Sequence, residues 1–133
     1  MAQWGWMEGS DTVGAPSVYT GKSVVPGARW KHSCASNFER KKFLVFGGQG
    51  EHPDDPNGTA ILDDLFQYGE NGWEYLAGGG HSQPPDFENA NASLRHPGGR
   101  SDHGSVMVES GMYVFGGMSL QRVPGQAKLK EVM

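Results

Sequence analysis

Two stretches of four consecutive apolar residues interrupt an otherwise polar chain. They are Phe43–Phe46 and Met112–Phe115, and two glycines follow each of them directly. A strand covered on one face alternates apolar with polar side chains, whereas these stretches are apolar at every position. We therefore expect both to be strands that are buried on both faces. The paired glycines permit positive φ and the close approach of another backbone.

A meander of four antiparallel strands is predicted around the first of these stretches. A short strand near 32–36 precedes the apolar strand at 42–46, and a loop rich in Gly, Pro and Asp follows. Apolar and polar residues then alternate over Ile61–Tyr68. Glu70–Gly72 supplies a hairpin turn of the Asn-Gly kind, and 73–76 forms the last strand.

Three signatures recur in the same order along the chain. A tryptophan strand returns after 69 residues, a Pro-Gly turn followed by Arg-x-x-His returns after 71, and an apolar quartet with two glycines returns after 69. Matches at nearly one spacing indicate a tandem repeat. The positions that carry it are Trp4 and Trp73, Arg29 and Arg100, His32 and His103, Gly47 and Gly116, Gly48 and Gly117, together with the aromatic residues Trp6 and Tyr68.

Meanders repeated in tandem are the building blocks of β-propellers. With its apolar quartets, double glycines, Tyr68 and Trp73, the chain resembles the kelch repeat family over residues 4–117. The W-x-W and Pro-Gly-Ala-Arg elements are similar to a long-period kelch subgroup, the propeller of galactose-oxidase-like central domains. The resemblance implies blades of four antiparallel strands around a central axis.

The expected fold class is therefore all-β, an incomplete kelch-type β-propeller with about one full four-stranded antiparallel blade and two partial blades. A closed propeller takes four to eight blades, so exposed apolar surface and self-association are expected. The expected segments are the last strand of a preceding blade (1–10), a connector (11–25), a complete blade (26–77), a second connector (78–96), the first half of a second blade (97–120) and a C-terminal tail (121–133).

Composition and charge limit the classes of molecule that the chain is expected to bind. The chain has 21 glycines, 8 prolines and a formal net charge of −4. Its only basic run is Arg40–Lys42, so it offers no basic face for nucleic acid. We expect a soluble protein with no signal peptide, no transmembrane segment and no membrane partner. The single cysteine, Cys34, is predicted to be a small buried thiol and favours a reducing compartment, such as the cytoplasm. Sequons at Asn57 and Asn91 matter only if the chain is secreted.

No catalytic, cofactor-binding or metal site is predicted. The Arg-x-x-His pairs occur in both repeats, which favours a structural role in tying blades or loops together. The five histidines lie singly. The loop Glu51–Gly58 gathers oxygen donors but lacks the Asp-x-Asp-x-Asp-Gly pattern of a calcium loop. The paired tyrosines and histidines of a copper radical oxidase are not apparent beside Cys34.

The function expected is that of a non-catalytic kelch-repeat scaffold, a fragment of a larger propeller that binds a protein partner or ligand through its loops. The alternatives are a fragment of a secreted carbohydrate-binding or copper-radical-oxidase-type propeller, or a truncated product with no independent function. Tyr19 and Phe87 could equally hold their connectors against the blade. The candidate binding residues, on the connectors 10–25, 49–60 and 78–96, are Tyr19, His52, Asp54, Asp55, Phe87 and Glu88.

Overall fold

The structure, a computed structural model, describes residues 2–53, 55–79, 90, 96–122 and 129–132. Over these ranges the protein is all-β, as the sequence predicts. Every strand pairing is antiparallel, no helix forms, and none of the sheets closes into a barrel. The same ranges accordingly contain no helix that is long and apolar enough to cross a bilayer.

Twelve strands form in the described part of the chain. They are β1 (Arg29–Trp30), β2 (Ser33–Asn37), β3 (Lys42–Phe46), β4 (Gln49–His52), β5 (Asp55–Ile61), β6 (Leu65–Gly69), β7 (Gly72–Ala77), β8 (Arg100–Ser101), β9 (Gly104–Val108), β10 (Gly111–Phe115), β11 (Met118–Arg122) and β12 (Leu129–Val132).

The largest sheet is a four-stranded meander in the order β2-β3-β6-β7. Its strands coincide with the four that the sequence predicts, except that the third begins at Leu65 rather than Ile61. The β6–β7 hairpin turns where Asn71-Gly72 indicates it should, with Gly69 paired to Gly72. Gly72 has a φ of 85°, a left-handed value that favours glycine at this position.

Two three-stranded sheets form beside the hairpins, and neither is predicted from the sequence. β4 pairs with β1 and β5, so residues 49–60, expected to be a loop, are largely a β-hairpin. β11 pairs with β8 and β12, so the segment 121–133, expected to be a tail, contributes strand residues as well. Their polar and glycine-rich residues are held extended by pairing with the distant strands β1 and β8, which local sequence pattern does not reveal.

The two halves of the chain repeat one backbone arrangement. Ser33 pairs with Phe46 in β2–β3, and Gly104, 71 residues after Ser33, pairs with Phe115, 69 residues after Phe46. The change of spacing from 71 to 69 falls in the hairpin turn. Asn37 pairs with Lys42 across four residues, whereas Val108 pairs with Gly111 across two. We call β1–β7 the first unit and β8–β12 the second unit.

The glycine pairs carry the chain from each hairpin into the neighbouring small sheet. Gly47 and Gly48 have φ values of 64° and 93°, and Gly116 and Gly117 have 70° and 89°. At Gly47 an added Cβ would lie 2.6 Å from the carbonyl oxygen of Arg100. The expected close backbone approach is therefore present, and it joins the first unit to the second.

The core lies in the first unit, and the two apolar quartets differ in burial. Val45 and Phe46 are buried, and Phe43 and Leu44 are half-buried. The expectation of burial on both faces is wrong for the second quartet, because Tyr113 and Phe115 are exposed. No described segment packs on the side of β10 that carries them.

The N-terminal segment departs from expectation. Residues 2–10 contain no strand, in contrast to the strand predicted at Trp4–Met7. The side chains of Trp4 and Trp6 are exposed. A strand requires a neighbouring backbone to pair with, and no described strand runs beside these residues.

The two glycine pairs provide a matched test of backbone approach. Gly47 and Gly116 share a left-handed φ, but a Cβ on Gly116 meets no atom of the described residues within 4 Å. We expect Gly116→Ala to lower the free energy of unfolding by about 1 kcal/mol through conformation alone. Gly47→Ala should cost about 1–3 kcal/mol more, because its methyl group collides with backbone. Urea unfolding of both variants checks this, and equal losses would contradict it.

Candidate functional site

A buried ion pair joins Arg29 and Asp64. The guanidinium donates through its two terminal nitrogens to both carboxylate oxygens, at 2.5 and 3.0 Å. The side chains are only 4% and 0% exposed. The guanidinium also donates to the carbonyl oxygens of Gly27 and Gly47. Charge, hydrogen-bonding capacity and burial are thus satisfied together.

The connector that precedes β1 completes this network. Ser17 Oγ donates to Asp64 Oδ2 and accepts from Arg29 and from the Gly27 N–H. Tyr19 donates its hydroxyl to the same carboxylate oxygen at 2.8 Å. Burial, followed by the charge of Asp64, raises the pKa of the Tyr19 phenol. Tyr19 therefore remains a neutral donor that holds the connector against the first unit.

Aromatic rings surround the network on the side of β6 and β7. The Tyr19 ring lies 5.7 Å from Phe66, 5.1 Å from Tyr75 and 5.8 Å from His52, measured between centroids. The Arg29 guanidinium lies over Phe66 at 5.6 Å. Phe66 is fully buried, and the face of its ring packs against the Arg29 guanidinium in a cation–π contact.

The second unit repeats the arginine but not the carboxylate. Arg100 donates to the carbonyl oxygen of Gly116, as Arg29 does to that of Gly47. No carboxylate is paired with Arg100 within the described ranges, and its buried Nε has no hydrogen-bond partner there. Burial lowers the pKa of Arg100. The arginine therefore keeps its backbone contact in both units, whereas its ion pair is seen only in the first.

The two Arg-x-x-His turns meet each other. Lys31 and Asp102 occupy equivalent positions with φ of 57° and 55°, and they form an ion pair at 2.9 Å. His103 bonds to Ser33 Oγ at 2.6 Å, and its ring contacts Phe46. Burial, followed by the charge of Arg100, lowers the pKa of His103, which favours the neutral ring. These contacts tie the two units together.

An open cleft of about 590 Å³ lies beside the connector. Trp6 and Trp73 supply aromatic surface, and Glu8, Lys22 and Asn71 supply polar groups. Residues of the connector 10–25, predicted to bind a partner, form much of its lining. Trp73 also packs against Phe43 and Tyr68, so this wall of the cleft belongs to the rigid meander.

Two of the six predicted binding residues come together in the structure. Tyr19 and His52 are in ring contact, and His52 is buried, with its Nε2 3.1 Å from the carbonyl oxygen of Gly79. Both therefore take part in the packing between the connector and the first unit. Asp55 begins β5, and nothing is described of its side chain. Asp54, Phe87 and Glu88 lie outside the described residues.

Several residues of the network and of the rings around it are not predicted from the sequence. Ser17, Asp64 and Tyr75 are not among its candidates, although two adjacent aspartates directly before an apolar strand are an unusual local signal. A carboxylate at the edge of a buried strand requires a cation or several donors. Arg29, which has a counterpart in the second repeat, could have been predicted as that cation.

Cys34 lies in a different environment from the one that the sequence predicts. Cys34 is exposed on β2, so the buried thiol that we expected is wrong. Its side chain points away from the covered face of the hairpin, because it neighbours the buried Ser33 and Ala35 along the strand. Within the described residues no group of three or more His, Cys, Asp or Glu side chains could hold a metal ion.

No protein-family model matches the chain, and no curated protein is significantly similar to it.

Removing the Asp64 charge should be strongly destabilising. We expect Asp64→Asn to lower the free energy of unfolding by about 3–5 kcal/mol, because Arg29 would remain buried without its counter-charge. The matched control is Asp102→Asn, whose partner Lys31 is about half exposed, and it should cost less than about 1 kcal/mol. Chemical denaturation of both variants measures the difference. A loss at Asp64 no larger than that at Asp102 would contradict the prediction.

Asp63 should make stability depend on pH. Burial raises its pKa to about 6, although a hydrogen bond from the Gly79 N–H opposes the shift. The folded protein then binds this proton more tightly than the unfolded chain, so this group's contribution to stability falls as the pH rises from about 4 to about 6. We expect Asp63→Asn to flatten that decline, since a neutral amide still accepts from Gly79. Urea unfolding across this range tests it, and an unchanged slope would refute it.

Proposed function

We propose that this chain is part of a kelch-type β-propeller and acts as a non-catalytic scaffold that binds a segment of a partner protein. The observation that carries this proposal is the repeated unit, in which one hairpin register and one double-glycine junction occur twice with the second hairpin packed on the first. Propellers are built from stacked meanders, and here one complete meander carries the first hairpin of a second.

The cleft beside the connector is the proposed recognition surface. Trp6 is exposed, while Trp73 is fixed by ring contacts within the meander. Exposed tryptophans beside a rigid wall are typical of the central residues of binding interfaces. Lys22 and Glu8 at the same cleft would fix the orientation of a polar backbone or side chain. The proposed ligand is a short peptide segment with an aromatic or aliphatic anchor.

The connector is suited to this role because hydrogen bonds hold it against the first unit. Ser17 and Tyr19 tie it to the buried Asp64, and a bridge between Val18 and Val25 closes a loop over Tyr19–Val24. The loop that lines the cleft is thus held at its base. Binding residues on loops that a rigid scaffold positions are a general pattern.

Selection from a displayed peptide library on the full chain tests the proposal. We expect enriched peptides to bind the wild-type protein at least about tenfold more tightly than a Trp6→Ala, Lys22→Glu variant. Phe38→Ala, which removes an exposed aromatic ring outside the cleft, is the control and should bind like the wild type. Failure to enrich any peptide, or equal binding by the cleft variant, would contradict the proposal.

A further inference from the structure

One face of the second hairpin is apolar, and no segment of the described residues covers it. Residues paired in an antiparallel ladder point to the same side, so Val106 and Tyr113 share a face with Phe115. Their side chains are 57%, 60% and 86% exposed, in that order. We call this surface, formed by Gly104, Val106, Val108, Tyr113 and Phe115, the outer face.

The equivalent surface of the first hairpin is buried. Ala35 and Phe46, the counterparts of Val106 and Phe115, are 8% and 5% exposed. They lie under the second hairpin, where β9 packs beside β2 and the His103 ring lies 5.4 Å from Phe46. Met107 lines the same groove as Leu44. The repeat itself therefore indicates what covers such a face, namely the opposite face of another hairpin.

That opposite face occurs twice in the chain. In the first unit Val45, which pairs with Cys34 and shares this face, is buried, whereas the positions on β2 are exposed. In the second unit Ser105 and Met107 are turned towards the first hairpin, where Ser105 Oγ donates to the Cys34 carbonyl oxygen. Their first-unit counterparts, Cys34 and Ser36, are exposed. We call the surface around Cys34 and Ser36 the open face.

We propose that two copies of this chain associate head to tail, with the open face of one copy docked on the outer face of the other. Within one copy, β9 packs beside β2. In the docked pair, β2 of one copy would pack beside β9 of the other copy in the same way. His32, the counterpart of His103, would lie against the partner's Phe115, as His103 lies against Phe46.

The charges at both ends of the hairpins suit this arrangement. Within one copy Lys31 pairs with Asp102, and docking would bring a second Lys31 to the other side of Asp102. At the opposite end Glu109 and Arg40 line one groove. In the docked pair the Arg40 loop of one copy would lie beside the Glu109 loop of the other copy, so opposite charges again lie together. A dimer formed in this way keeps one open face and one outer face unoccupied. Further copies can add to these faces, so the assembly continues into a ring or a filament.

Complementation between two variants tests this arrangement. Val106→Lys blocks the outer face, and Ser36→Lys blocks the open face. We expect the wild-type chain to associate between roughly 1 µM and 1 mM in sedimentation velocity. Each variant alone should be monomeric, and an equimolar mixture should form a one-to-one dimer through the two faces that remain intact. Val13→Lys, at a fully exposed valine outside both faces, should associate like the wild type.

A second readout uses the thiol of Cys34 on the open face. Its reaction with a small disulfide reagent should slow at least about tenfold as the wild-type chain associates, and should not slow for Val106→Lys. If Val106→Lys loses its β circular dichroism, Tyr113→Thr, at an exposed position, replaces it. A wild-type chain that stays monomeric, or a mixture that does not dimerise, overturns the proposal. Trp6→Ala leaves association unchanged, which separates this result from that of the peptide cleft.

Discussion

The arrangement of the first unit depends on the buried ion pair between Arg29 and Asp64. It connects β1, the start of β6, the glycine junction and the connector, because each of these segments contributes a hydrogen bond to it. A buried pair of this kind gains little net stability relative to an apolar substitute, since removing two charges from water offsets much of their attraction. Its effect is geometric. Any displacement of one segment would leave a charge or a donor unsatisfied, so the network fixes how four segments meet.

The glycine junction shows why this fixing matters. Gly47 and Gly48 place the backbone within contact of Arg100 and Trp30, closer than any side chain would allow. Hydrogen bonds from Gly48 N–H to the Arg100 carbonyl oxygen and from Arg100 N–H to the Leu62 carbonyl oxygen then join the units. Because Arg29 donates to the Gly47 carbonyl oxygen, the ion pair and the junction between units form one connected set of contacts.

Features that depend on neighbours in sequence were predictable, and those that depend on distant partners were not. The quartet strand 42–46 and the turn at Asn71-Gly72 follow from local chemistry, and both are present. The pairing of Trp30 with Gln49 is not encoded in either segment alone, so a polar hairpin was taken for a loop. Asp64 was overlooked because its role emerges only when Arg29 and Tyr19 converge on it. The kelch resemblance remains a hypothesis.

The two units differ in a way that gives the chain a direction. In the first unit the second hairpin covers Phe46, and Asp64 neutralises Arg29. In the second unit, within the described residues, Phe115 is uncovered and Arg100 has no paired carboxylate. Regions with few buried apolar contacts open at a lower free energy than the core, and the buried apolar side chains of the described residues all lie in the first unit. Stability should therefore decrease from β3 towards β10, and a surface that covers the outer face would raise it where the chain itself supplies least.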